Sequence, residues 1–184
     1  MQPRSGFTLI EVVITLAVGV LILTGILGVF LITRQTLTRN SGRAEIVQNG
    51  RIALERLSRD LRQAEEIAGV IPEAQGEALS ALEFQDGHDA SALTYLRYHF
   101  ENESLYLEHS YYALTSDPTV QVRYNEEDTD GSPAFKTVLD DEIIAEHIST
   151  FQIYGNRPIY VAITLMKDIS ATSMITSIYG RNLH

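Results

Sequence analysis

The sequence has no cysteine, no tryptophan, five prolines and three methionines in 184 residues. Without cysteine there is no disulfide framework, no thiolate metal site and no thiol nucleophile. Positive charge is scarce as well: 14 Lys and Arg stand against 24 Asp and Glu, a net charge of −10 at pH 7. An acidic chain without a basic, aromatic-interleaved patch does not suit nucleic acid, and none is predicted as a partner. Catalytic signatures are missing too. There is no H-E-x-x-H, no G-x-S-x-G elbow and no glycine-rich phosphate loop, so the sequence points to no enzyme, cofactor or metal. The five histidines, at 88, 99, 109, 147 and 184, are scattered.

Charge of either sign is missing over one stretch. From Val12 to Thr33, 22 residues carry none. A helix rising about 1.5 Å per residue spans about 30 Å of hydrocarbon with that length. The run is too long for a secretory signal peptide, and Thr33-Arg34-Gln35-Thr36 offers no small-residue cleavage site. At its head stands Glu11. A lone carboxylate beside so much apolar surface is costly and marks a functional site. Its plainer explanation is a capping box with Thr8, T-x-x-E, satisfying free N–H groups of the first helical turn.

Gly6-Phe7-Thr8-Leu9-Ile10-Glu11-Val12 resembles the cleavage and methylation signature of type IV prepilins. The resemblance implies that Met1–Gly6 is a leader, that a prepilin peptidase cuts after Gly6, and that Phe7 becomes the N-methylated N-terminus. Gly6 suits a scissile position, because a residue without a side chain lies easily in a protease cleft. By the same resemblance Glu11 pairs with the α-ammonium of Phe7 on a neighbouring subunit and sets axial register. The head would then lie outside the inner (cytoplasmic) membrane. Flanking charge alone argues the reverse, with Arg4 before the span and Arg34, Arg39 and Arg43 after it. Gly19, Gly25 and Gly28 lower helix propensity within the span. Gly28 lies where many major pilins carry a helix-breaking proline, and either unwinding or close helix packing would use it.

Beyond Thr33 the helix is expected to continue from 34 to about Ala68 as an amphipathic half. Val47, Leu54, Leu57, Leu61, Ala64 and Ala68 form its apolar stripe, and Arg51, Glu55, Arg56, Arg59, Asp60 and Arg62 its other faces. Gly42 and Gly50 are expected bend points. From residue 69 to 184 the period turns to two, predicting a β-rich head. Strands are expected at Leu79–Gln85, Leu93–Glu101, Ser104–Tyr112, Thr119–Tyr124, Phe135–Leu139, Ile148–Tyr154, Ile159–Met166 and Ser173–Tyr179. Asn102-Glu103 turns a hairpin whose arms carry His99 and His109 facing one another. Asp140–Glu146 reads as a helical turn. A long helix followed by antiparallel strands is an α+β, pilin-like fold, with boundaries at 1–6, 7–33, 34–68 and 69–184.

The segment Gln48–Leu57 through Asp60–Ala64 is similar to the helix of W-type minor pilins and J-type minor pseudopilins. The closing Ile178-Tyr179-Gly180-Arg181-Asn182 resembles their Arg-Asn terminus. The chain departs from the pseudopilins of type II secretion across its middle, and lacks the C-terminal cysteine pair of many adhesins. Together the resemblances imply a minor pilin or minor pseudopilin, working with other pilins or pseudopilins, a prepilin peptidase/methyltransferase, an inner-membrane assembly platform and membrane lipid. A membrane-anchored adhesin or ligand-binding module is the alternative. In the head, Glu126, Asp128 and Asp130 with Gly131 look like the first half of a calcium loop. Position twelve is Thr137 rather than a bidentate Glu, so an EF-hand is excluded. A looser calcium site and a solvated acidic turn both remain open.

Overall fold

A helix of 55 residues, α1 (Leu9–Gln63), begins the computed structural model, which describes residues 8–88, 92–168 and 170–180. The chain divides into two compact units, Met1–Gly42 and Arg43–His184.

In the first unit the helix runs unbroken through Gly19, Gly25 and Gly28. It is long and apolar enough to cross a membrane. Its large side chains all face outward: Leu9, Leu16, Leu21, Phe30 and Ile32 are exposed. Such a surface is stable only where the surroundings are themselves apolar. Three of its hydroxyls are satisfied from within, since Thr24 donates to the Val20 carbonyl (2.7 Å), Thr36 to Ile32 (2.9 Å) and Thr15 to Glu11. Bonding to a carbonyl one turn back is how a hydroxyl avoids an unpaired donor in hydrocarbon.

In the second unit the same helix acquires a buried seam: Ile46, Gly50, Ala53, Leu57, Asp60, Leu61 and Ala64. The expected stripe is thus turned slightly about the axis. Leu57, Leu61 and Ala64 belong to it, whereas Val47 and Leu54 are only half-buried. Small residues set the turn. A Cβ on Gly50 would lie 2.8 Å from Leu165 Cδ1 and 3.0 Å from Met174 Sδ, so Gly50 is a point of close approach rather than of bending. The helix also stops at Gln63, short of Ala68. Gly87 lies across its end, where an added Cβ would fall 2.0 Å from the Gln63 carbonyl oxygen. Residues 65–68 are extended instead. Glu65 N–H donates to Gln85 O (3.3 Å), Gln85 N–H to Glu66 O (2.7 Å) and Ala68 N–H to Glu83 O (2.9 Å).

Two antiparallel sheets complete this unit. The first contains β1 (Ala81–Gln85), β2 (Thr94–Glu101), β3 (Ser104–Ala113), β4 (Gln121–Val122) and β5 (Phe135–Glu146), with β5 pairing β3. The second runs β6 (Ile148–Tyr154), β7 (Ile159–Lys167) and β8 (Ser170–Ile178). Alternation explains most of these strands; in β7, for example, Ile159, Val161, Ile163 and Leu165 are buried. The core gathers Leu57, Leu61, Phe84, Tyr98, Leu105, Leu107, Ile148, Ile153, Ile163 and Leu165. Burial of this apolar surface is the main force holding helix to sheets.

Three further expectations are corrected. Asp140–Glu146 is not a helical turn but the second half of a continuous β5. Pairing steps from Val138 to Asp140 and from Ile143 to Ala145, leaving Leu139 and Ile144 as bulged extra residues. Each bulge breaks the period of two, so Leu139, Ile143 and Ile144 imitate helical spacing. His99 and His109 do not face each other either. His99 pairs with Tyr106 and stacks on its ring at 5.2 Å, whereas His109 pairs with Leu96. Being three positions apart in register, they sit on opposite faces. The strand near 120 is also shorter than expected, only Gln121–Val122.

The β2–β3 hairpin closes as expected through Asn102 (φ 48°) and Glu103 (φ 60°). Both residues are left-handed, as a two-residue type I′ turn demands. Asn tolerates this conformation; Glu bears a steric cost of about 1 kcal/mol that Gly would not. Glu103→Gly is therefore expected to raise stability by about 0.5–1 kcal/mol, read as a higher denaturation midpoint of the solubilised chain with an unchanged slope.

Candidate functional site

Gly6 and Phe7 lie outside the described residues. Glu11 stands in the first turn of α1, where the Thr8 carbonyl accepts N–H bonds from Glu11 (3.1 Å) and Val12 (3.3 Å). A carboxylate there suits the positive end of the helix dipole. Its side chain is exposed and has no hydrogen-bond or ion-pair partner among the described residues. The sequence-predicted assembly residue is thus a presented acid at the head of an apolar helix.

Among the described residues of the head the most deeply buried acid is Asp60, which its charge assigns to the outer faces of the helix and the structure places in the seam. It is 4% exposed, and Tyr98, fully buried, donates its hydroxyl to Asp60 Oδ2 at 2.6 Å. Arg59 Nε lies 3.3 Å from the other oxygen and His88 Nε2 4.0 Å from it, with His88 Nδ1 turned to Asp86. Desolvation first, and the Asp60 carboxylate second, push the Tyr98 phenol far above the ordinary tyrosine value. A phenol held neutral in this way is a donor, not a proton-transfer group near neutral pH. The signal was present in the spacing: Asp60 falls three residues after Leu57 and four before Ala64.

A second polar group lies on the first sheet. Lys136 bridges Glu83 (2.9 Å) and Glu108, Arg97 Nη1 is 3.4 Å from Glu108 Oε2, and Tyr112 donates to Glu83 Oε1 at 2.9 Å. Burial, then the Glu83 charge, raises the Tyr112 phenol; burial also raises Tyr95, which packs edge-on against Tyr112. Cross-strand ion pairs of this kind fix register and carry no nucleophile.

The acidic loop folds on itself. Asp128 Oδ2 accepts Ser116 N–H (2.8 Å), Asp128 Oδ1 accepts Thr129 N–H (2.7 Å), and Asp130 Oδ1 accepts Ser132 N–H (2.9 Å). Glu126, Asp128 and Asp130 are not brought round a common point, and no three acidic or histidine side chains among the described residues are grouped to hold a metal. Hydrogen bonds from Ser116 and then Thr129 hold the Asp128 carboxyl below the ordinary aspartate range.

These shifts set two pH dependences. Asp128 is favoured as the anion in the folded chain, so its contribution is present above the ordinary value of about 3.9 and is lost as pH falls through its depressed value. Asp128→Asn should lower the melting temperature at pH 7, and the difference from the parent chain should vanish in strong acid. The tyrosines act at the other end. Unfolded, they ionise near pH 10; folded, Tyr95, Tyr98 and Tyr112 keep their protons, so stability falls as pH rises above about 10. Ultraviolet titration of the nine tyrosines should show at least these three ionising only with unfolding. Tyr98→Phe should cost about 1–3 kcal/mol at neutral pH by stranding Asp60, and lessen the alkaline loss.

Comparison with known proteins is informative at one end of the chain. No curated protein and no solved structure matches it. Residues 1–27, which contain the Gly6–Glu11 stretch and most of the apolar run, match the sequence model of the prokaryotic N-terminal methylation motif. That match supports a type IV pilin-like precursor with a membrane-anchoring N-terminal helix.

Proposed function

We propose that the chain is a minor pilin or minor pseudopilin, a structural subunit of a type IV pilus or a type II secretion pseudopilus. The observation that carries this reading is the methylation motif over residues 1–27, joined to an unbroken apolar helix that presents Glu11. Prepilin peptidase removes Met1–Gly6 and the new amine of Phe7 is methylated. The anchor holds the subunit in the inner membrane with its head outside, until the assembly platform passes it to its neighbours. The mechanism is association, not catalysis.

Glu11 supplies the register. An unpaired carboxylate in the apolar interior costs roughly 3 kcal/mol on insertion scales. A neighbour's Phe7 ammonium removes that penalty only when the two helices are offset so that amine meets acid. Desolvation, normally a cost, then becomes discrimination against every other offset.

Co-expression with a prepilin peptidase should shorten the chain by its first six residues, and Gly6→Val should abolish the change, both read by intact mass. A leader retained in the presence of active peptidase would refute the reading. Glu11→Val should be processed normally yet enter filaments at least tenfold less well, measured by immunoblot of sheared filaments. Normal incorporation would leave Glu11 only a capping role.

A further inference from the structure

Among the described residues, one edge of the two sheets is left bare. β1 is covered where residues 65–68 run beside it, and on β6 Ile153 exchanges two hydrogen bonds with Leu79. β4 is two residues long. β5 is guarded by its own sequence, with Asp140, Asp141, Glu142 and Glu146 along it and bulges at Leu139 and Ile144. Short edges, charge and bulges are how proteins stop a sheet from pairing further. β8 has none of these. Its nine residues, SATSMITSI, include no charge, proline or glycine, and they pair with β7 in unbroken register from Ser170 to Ile178. No described strand pairs with its other side. A long, regular, uncharged edge is a template for one more strand.

The charge beside this edge belongs to the helix. Between β8 and α1 runs a groove of about 740 Å³, with Met174 on the strand side and Arg51, Leu54, Arg59 and Arg62 on the helix side. Glu55 is its one acid. Arg51 and Arg62 are exposed and make no ion pair with a described residue; Arg59, beside Asp60, is 65% exposed. The two walls ask different things of an occupant. β8 offers unpaired backbone without charge, and α1 offers three arginines on a chain with ten more acids than bases. An extended segment meets both demands, because its alternate side chains point to opposite faces. One set turns toward α1 and the other lies alongside Ile175, which is exposed. Arg51 and Arg62 are about 16 Å apart along the helix, the length of about five strand residues.

We propose that this groove receives an extended segment of a different subunit, which adds to β8 as a further strand. Its acids all lie on the face turned to α1, and its other face is uncharged. A second copy of this chain supplies no such strand. The acids of β5 lie on both faces, Asp140 and Glu142 opposite His109 and Leu107, Asp141 and Glu146 opposite Glu108 and Ser104. Two β8 edges meeting about a two-fold would set one arginine wall against the other. The contact therefore joins unlike chains and ends there, as suits a subunit present in few copies. The inference rests on the filament-subunit reading for its supply of neighbours, and on the groove for what they must present.

A photo-crosslinking amino acid placed at Ile175 or Ser177 tests this in the native host, in the full-length chain with its peptidase. After irradiation the adduct is purified and the linked peptides are sequenced by mass spectrometry. It should hold one copy of this chain and one of a different protein with the same N-terminal motif. The linked segment should carry acids at alternate positions and no charge between them. Arg51→Glu with Arg62→Glu should lower the adduct at least tenfold, and lysines in place of the partner's acids should restore it. An adduct between two copies of this chain overturns the proposal. So does a linked segment without alternating acids, a failure of the lysines to restore the adduct, or no adduct from processed chains recovered in filaments. The expected segment on a protein lacking the motif keeps the strand contact and overturns the filament reading.

Discussion

Everything in the head depends on one packed seam, the face of α1 from Ile46 to Ala64 laid against two sheets. Helix–sheet packing is set by how near the helix axis can come, and here Gly50 and Ala53 let it come close enough for Leu165, Met174 and Ile163 to fill the space beside the backbone. Larger residues there would lift the helix and open the layer that buries Leu57 and Leu61. The same closeness explains why a carboxylate is tolerated in the seam. Asp60 sits where the sheet supplies a phenol at 2.6 Å, so its burial is matched by a strong hydrogen bond rather than by water. Gly87, pressed on the Gln63 carbonyl, fixes where the seam ends.

The residues from 9 to 63 form one helix with two kinds of surface. From Val12 to Thr33 the sequence avoids charge and the structure buries none of the large side chains, a pattern suited to an apolar solvent rather than to a protein core. After Arg43 polar and apolar residues alternate at helical spacing and one face is buried. Composition changes while secondary structure does not, because helix propensity is shared by both stretches and only the partner differs.

Much of this was legible in the sequence. Strict alternation located β2, β3, β6 and β7 to within a residue or two, and Asn102-Glu103 located the hairpin. What failed to show has a common cause: contacts that depend on partners remote in the chain. Bulges at Leu139 and Ile144 hid the second half of β5, since a bulge is dictated by the strand opposite. Gly50 read as a weak point because a pattern of apolar residues gives no weight to a missing side chain. Asp60 read as solvent-facing because charge outweighed position. The helix end was misplaced by five residues, since Ala64 and Ala68 continue the apolar period while the chain has already turned to run beside β1. At the N-terminus the reverse holds. The Gly6–Glu11 stretch is a linear signal, complete in the primary structure, and so it was legible without a fold.

The passage from β5 to β6 has a mechanical consequence. A single residue, His147 at φ 63°, separates the last strand of one sheet from the first strand of the other, and its carbonyl accepts the Met166 N–H while Ile148 N–H bonds Glu103. There is no slack at this joint. The covalent link is reinforced by the Ile148–Glu103 hydrogen bond and by the paired bonds between Leu79 and Ile153, so the two sheets are tied together where the chain passes between them. The two sheets therefore have little freedom to move apart at this point of the chain.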